Sequence, residues 1–294
     1  MITDSPHRYI RLGLSAGRSR ELLNAAVAEA QRVESAGLTS VLTLNHLAWQ
    51  TGSSYLYLRS IIQRQIDPYE DILRHRRNGA AMRLISAPNP PLMSVQRWIL
   101  RSIVQRVHVH SASTAYSQGN SISRCAERHL GASWLVKMDL QDFFHSIDER
   151  RIYSVFQGLG YNRLVSFELA RICTRIGLGP DLNPNMVPQY TINSYRMWKL
   201  GALPQGSPTS GALANIVMYS CDEALNDIAA ARGLVYTRYA DDITFSHADR
   251  FDRGRAEEVI KSTSKTLRSH GFTLHKKKTK LYLQEVERSF WDYW

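Results

Sequence analysis

The sequence predicts an α+β fold built on an antiparallel sheet. Three observations predict it. Helical stretches and alternating apolar strands fall in separate blocks, in the order helices, hairpin, helix, strand, helices, hairpin, helix, strands. Strands joined by tight turns pair antiparallel, whereas parallel strands need a long crossover. The chain has 294 residues, 44% of them hydrophobic, enough for one large domain or two closely packed subdomains.

Each element has a local reason. Ser19 to Val33 reads as helix because Ala, Leu and Glu dominate and Gly and Pro are absent. A second helix starts at Thr43, with Leu44, Leu47 and Ala48 on one stripe. A third runs from Tyr55 to Ile66 and is ended by Pro68. Residues 1–72 are thus a helical N-terminal layer. Arg74 to Pro91 holds an Asn78-Gly79 turn and a short strand, Met82 to Ser86, which suits a hairpin with arginines on both arms. Pro91 opens an amphipathic helix in which Leu92, Val95, Ile99, Ile103 and Val107 fall at three- and four-residue steps. Arg97, Arg101 and Arg106 lie off that stripe, suited to a phosphate backbone.

Ser133 to Ile147 is a strand running into a turn, with Trp134, Val136 and Met138 alternating with Leu135, Lys137 and Asp139. Arg151 to Ile176 gives one or two helices, and Gly177 to Met197 is loop-rich, with three Pro and three Asn. Leu203 to Pro208 is a structured loop, followed by a helix from Ser210 to about Ala231. Leu234 to Tyr239 and Ile243 to Ser246 form a hairpin around Asp241-Asp242. Ala256 to His270 is a helix capped by Gly271. Phe272 to Leu274 and Thr279 to Leu283 are the last strands.

Composition limits the function. The net charge of +11 and pI near 9.7 favour a polyanionic partner, nucleic acid first among them. Basic residues cluster at Arg74, Arg76, Arg77 and Arg83 and at Lys276, Lys277, Lys278 and Lys280. Clustering suits phosphate tracking better than scattered charge does. Cys125, Cys173 and Cys221 are too far apart for a zinc motif or a disulfide framework, and read as buried thiols in a reducing cytoplasm. Met1 to Arg20 lacks the apolar run of a signal peptide, and no segment reaches the ~20 apolar residues that span a bilayer. The expectation is a soluble cytoplasmic protein with no membrane partner.

The chemistry concentrates in three acids. Asp241 and Asp242 are adjacent carboxylates in the turn of Tyr239-Ala240-Asp241-Asp242, a costly pair unless a cation neutralises it. Asp139 ends a hydrophobic strand, where an isolated acid is expensive to bury. Taken singly, an exposed turn or a satisfied strand-end acid is the plainer reading. Together they suit hard cations, since Mg²⁺ takes a few carboxylates and completes its shell with substrate phosphates. Two such ions about 3.5–4 Å apart stabilise the attacking and leaving oxygens of an in-line phosphoryl transfer.

The motif set resembles the reverse transcriptases. Leu135-Val136-Lys137-Met138-Asp139-Leu140-Gln141-Asp142-Phe143-Phe144 is similar to their palm strand, and Tyr239-Ala240-Asp241-Asp242 to their catalytic turn. Leu203-Pro204-Gln205-Gly206-Ser207-Pro208-Thr209-Ser210 is similar to their substrate-side loop, and Gly271-Phe272-Thr273-Leu274 with Lys276 to Lys280 to the segment that follows the turn. Arg83 to Pro88 with Gln96 to Leu100 resembles their fingers. These blocks stand in family order over roughly residues 74 to 283. The run Tyr236 to Ser246 looks most like bacterial retron-type enzymes, as does His110 through Ser121-Ile122 to His129. Arg124-Cys125-Ala126-Glu127-Arg128-His129 keeps the family's Ala and His there but lacks its Asn.

That resemblance implies a right-hand polymerase fold with fingers (73–133) and palm (134–150 and 201–283), a connection at 151–200, and an RNA-directed DNA polymerase. Asp139, Asp241 and Asp242 are its catalytic residues, and with the Leu140 carbonyl they hold two Mg²⁺, for which Mn²⁺ substitutes. Phe144 is the aromatic gate against a ribose 2′-OH, one of Phe143 and Phe144 being core. Gln205 lines the nucleotide pocket. Arg76 and Arg83 bind the triphosphate, where the arginine fork matches phosphate oxygens. Tyr239, Lys276 and Lys277 contact primer or template. His110, His129 and His145 form no metal cluster by spacing and read as structural or RNA-contacting. The implied partners are an RNA template and primer (a dedicated noncoding RNA, as in retron anti-phage defence), the DNA product, dNTPs, and an effector or second protein chain.

Two points stay open in the sequence. The alternative family members are defence-associated enzymes making repetitive or protein-primed DNA, and group II intron-like or CRISPR-associated enzymes. A non-catalytic RNA-binding scaffold has no need of the acid cluster. Past the lysines the family continues into a helical thumb, where this chain has only Tyr282 to Trp294, with an aromatic tail of Phe290, Trp291, Tyr293 and Trp294 (284–294). The thumb is therefore read as reduced or missing, supplied by another chain, or absent because the sequence is a piece of a longer one.

Overall fold

A computed structural model describes residues 5–75, 82–117, 119–176 and 200–283, with residues 75, 82 and 83 as backbone only. The Asn78-Gly79 turn, the 177–197 loop and the aromatic tail lie outside the described residues. In chain order the elements are α1 (Pro6–Ser15), α2 (Arg20–Ser35), α3 (Leu44–Thr51), α4 (Tyr55–Ile62), β1 (Tyr69–His75), β2 (Met82–Pro88), α5 (Pro90–Ser102), α6 (Ile122–Glu127) and β3 (Trp134–Asp139). They continue with α7 (Glu149–Gly158), α8 (Arg163–Cys173), α9 (Ser210–Val217), α10 (Tyr219–Ala230), β4 (Val235–Tyr239), β5 (Asp242–His247), α11 (Arg253–Ser269) and β6 (Lys280–Leu283). The chain divides into two compact units, one of Met1–Arg106 with Ile147–Ser210 and one of Val107–Ser146 with Gly211–Trp294.

The first unit is helical with one hairpin. Its helix starts are chosen by short polar side chains that accept the orphan amides of the first turn: Ser19 from Leu22, Thr43 from His46, Asn89 from Leu92, Asp148 from Arg151 and Asn162 from Val165. The expected stripe is the core face of α5 at Leu92, Val95 and Ile99; the helix ends at Ser102, so Ile103, also fully buried, and Val107, half-buried, lie past it, while Arg97, Arg101 and Arg106 stay exposed. α1 was not read from the sequence, and it buries no residue. α4 stops at Ile62, short of the expected Ile66, because Arg64 turns into the left-handed region (φ +57°). From there its guanidinium donates to Glu149 Oε2 (2.8 Å) and the Thr174 carbonyl (2.6 Å). β1 and β2 pair antiparallel from Tyr69 opposite Pro88 to His75 opposite Met82, with Arg74 opposite Arg83.

The second unit is built on an antiparallel sheet in the order β4-β5-β3-β6. Directly opposed residues share a face, so the register sorts its side chains. Val136, Phe245 and Tyr236 make one row, with Met138, Ile243 and Arg238 the next, and this face packs against α10. The opposite face carries Lys137, Thr244 and Thr237, then Asp139, Asp242 and Tyr239. The expected helix from Ser210 to Ala231 is two, α9 and α10, because ψ opens to −7° at Met218. Phe272 to Leu274 is not a strand. Only Leu274 bridges, to Leu140, before the chain tightens into a 3₁₀ turn at Lys276–Lys278.

Candidate active site

Three local devices bring the acids together within the second unit. Pairing of β3 with β5 sets Asp139 directly opposite Asp242. A two-residue connection, Ala240-Asp241, then joins β5 to β4 with Tyr239 opposite Asp242. Ala240 has φ +56° and Asp241 is not among the positive-φ residues, the pattern of a type II′ turn. That turn prefers glycine first, so alanine there stores about 1–3 kcal/mol of strain that its surroundings must hold. The third device is the strand end. The Leu140 amide donates to the Asp241 carbonyl (2.9 Å), and His275 donates to the Asp139 carbonyl (2.8 Å).

Two lysines that sequence reasoning did not place in the site complete it. Lys278 Nζ donates to Asp139 Oδ1 at 2.7 Å, and Lys137 Nζ lies 3.2 Å from Asp242 Oδ2. The signal for Lys137 was present, since it stands two residues before Asp139 on one face of the strand. Lys278 had no local signal, because its partner is 139 residues away in sequence. The Asp242 carboxyl is held above the ordinary range, first by burial and further by Asp241 and Asp139, with Lys137 opposing.

This donor set fits a hard divalent ion: carboxylate oxygens from neighbouring strand ends, half-buried. Among the described residues no three His, Cys, Asp or Glu side chains converge as a ready-made cage. Mg²⁺ does not require such a cage, since one or two carboxylates hold it while phosphates and water fill the shell.

The remaining candidates divide between the units. Phe144 is half-buried at the foot of β3, edge-on to Tyr116 (6.2 Å), while Phe143 is the core member of the pair. Tyr239 is half-buried beside the acids, and Lys276 and Lys277 are exposed on the 3₁₀ turn. His129 is structural. Its buried ring bridges Ser246 Oγ (2.6 Å) and Thr237 Oγ1 (2.7 Å), and burial lowers its pKa to about 4. Gln205 belongs to the first unit, where its carbonyl accepts from the Ser86 amide of β2 (2.7 Å). Arg83 has its backbone in β2, also in the first unit, and Arg76 lies outside the described residues.

Comparison with known proteins gives one family. Residues 75–291 match the model of the reverse transcriptases, RNA-dependent DNA polymerases. The retron Ec86 reverse transcriptase of Escherichia coli is 30% identical over 263 residues, covering 89% of this chain and 72% of that protein. The retron Mx162 reverse transcriptase of Myxococcus xanthus is 32% identical over 263 residues, covering 85% of this chain and 53% of that protein. The retron Ec83 enzyme of Escherichia coli is 33% identical over 183 residues, 62% of this chain and 54% of that protein. The chain thus spans little more than half the length of two of these relatives. No helix among the described residues is long and apolar enough to cross a membrane.

Proposed function

The chain belongs to the reverse transcriptase family as an RNA-directed DNA polymerase of retron type, and on that premise we propose how its residues divide the work and which template it copies. The second unit is the palm, and the first carries the fingers. Asp139, Asp241 and Asp242, with the Leu140 carbonyl, hold two Mg²⁺. When bound, such ions supply Lewis-acid stabilisation to the attacking and leaving oxygens. The observation that carries this reading is the register that sets Asp139 opposite Asp242, next to the turn holding Asp241.

The chain's own groups do the rest. Lys278 and Lys137 pair with the carboxylates of Asp139 and Asp242 and help orient them. Phe144 occupies the space of a ribose 2′-OH. Gln205, Arg76 and Arg83 take the nucleotide, and Tyr239, Lys276 and Lys277 the primer and template.

The template is a dedicated noncoding RNA, copied in the service of anti-phage defence. The likeness to three retron enzymes supports this. The test is to purify the chain from its native host and sequence the nucleic acid that comes with it. One RNA species joined to its own DNA copy is the expected result. Mixed cellular RNA, or DNA linked to a tyrosine, overturns the retron reading.

A further inference from the structure

We infer that Arg238 is a positioning residue for the catalytic turn: its buried guanidinium fixes the Ala240 carbonyl and thereby the direction in which Asp241 presents its carboxylate. The inference rests on the reading of Asp241 as a metal-holding acid and adds what aims it.

Arginine has five N–H donors in one rigid plane. All five are used here, in a side chain with no exposed surface. Nε donates to Asp222 Oδ1 (2.8 Å), and Nη2 donates to Asp222 Oδ2 (2.7 Å) and Ser113 Oγ (3.0 Å). Nη1 donates to Asn215 Oδ1 (3.1 Å) and to the Ala240 carbonyl (3.0 Å). Four of the five bonds therefore orient the fork from α10, α9 and the 112–114 segment, and the fifth delivers that orientation to the turn. Asp222 is itself oriented by the Tyr236 hydroxyl (2.7 Å). The Arg238 backbone is gripped as well, its amide donating to Ala112 (2.8 Å) and its carbonyl accepting from Thr114 (2.9 Å).

The location of the fifth bond gives it a function. Ala240 is the strained residue of the turn, with φ +56°, and such a conformation persists only where neighbours over-determine it. The peptide before Asp241 is held by Arg238. Asp241's own carbonyl is held by the Leu140 amide (2.9 Å). Both peptides flanking the acid are thus fixed, and its Cα–Cβ direction follows. A buried ion pair is weak evidence for stability, since apolar replacements of similar volume are often as stable. Geometry is the better account of a pair that uses every donor.

The experiment compares full-length variants in steady-state primer extension on an RNA template, per RNA-binding-competent molecule. It adds Mn²⁺ binding without nucleotide, read by electron paramagnetic resonance. Arg238→Lys keeps the charge and loses the fork. Asp222→Asn with Arg238→Met removes both buried charges together. Ser113→Ala is the mild variant that removes one anchor and no charge. The first two should lower kcat about a hundredfold, as expected for a displacement near 1 Å. Their KM for dNTP should stay near the parent value, and Mn²⁺ should bind more weakly. Ser113→Ala should lower kcat severalfold with a modest loss of thermal stability, since one buried N–H loses its acceptor; the fold persists, which keeps the test open if the larger changes do not fold. Parental kcat and Mn²⁺ affinity in whichever variants fold would overturn the positioning role. Asp241→Asn is run alongside. If it stays active, the site assignment fails; if it is dead while the Arg238 variants match the parent, only this inference fails.

Discussion

Asp139 and Asp242 face each other across two strands, and the burial of Asp242 beside two further acids raises its pKa. At this scale the sequence was legible where chemistry is local. The adjacent acids and the strand-end Asp139 follow from spacing; Lys137, two residues before Asp139 on the same face, carried a signal that was missed. Lys278, Asp222 and the aim of Arg238 were not legible, because each depends on a partner brought close only by folding. Phe144, half-buried against Tyr116, gives one prediction: Phe144→Ala should admit ribonucleotides, read as the ratio of dNTP to NTP incorporation. Unchanged discrimination would make it a core residue. Glu168 on α8 gives another. One of its carboxylate oxygens is buried without a hydrogen-bond partner, and burial raises its pKa to about 7. The folded state therefore holds this proton more tightly than the unfolded state, whose pKa is near 4.5. Stability is lost as pH rises between those values. Glu168→Gln should raise the melting temperature at pH 8 and leave it nearly unchanged at pH 4; an equal effect at both would refute the assignment.

Elements were legible where periodicity and capping agree, as in α2, α3 and α5, and in the hairpin of β4 and β5. Boundaries failed where a distant contact intervened. α4 ends early because Arg64 leaves the helix for Glu149, and Phe272 to Leu274 is drawn into backbone bonds with the 139–141 segment instead of a ladder. The Leu203 to Pro208 segment before α9 shows how an element is seated. Gly206 has φ +119°, and a Cβ there would lie 2.7 Å from Ile85 Cγ2 and 2.9 Å from the Ser86 carbonyl. Gly206→Ala should cost about 1–3 kcal/mol from backbone strain alone. It should also loosen Gln205, whose carbonyl holds the Ser86 amide. Chemical denaturation measures the first effect, and the KM for dNTP the second, which should rise. No change in either would show that the loop is seated some other way.

The whole molecule is a basic chain of net charge +11 carrying an acidic site on one sheet. Its fold class and family were legible from block order and motifs. The division into two units was not, since the first is assembled from segments on either side of residues 107–146. The positive balance predicts RNA binding driven by counterion release. With six or more phosphates contacted, affinity should fall roughly a thousandfold or more between about 50 and 200 mM salt; a flat dependence would point to stacking instead. The central claim is that Asp139 and Asp241 serve the chemical step and not the grip on RNA. Its most direct measurement is Mg²⁺-dependent primer extension on an RNA template by the purified parent, Asp139→Asn and Asp241→Asn, with RNA affinity measured on the same preparations. Extension by the parent, none by either variant, and parental RNA affinity in all three are expected. Substantial extension by either variant would contradict the claim.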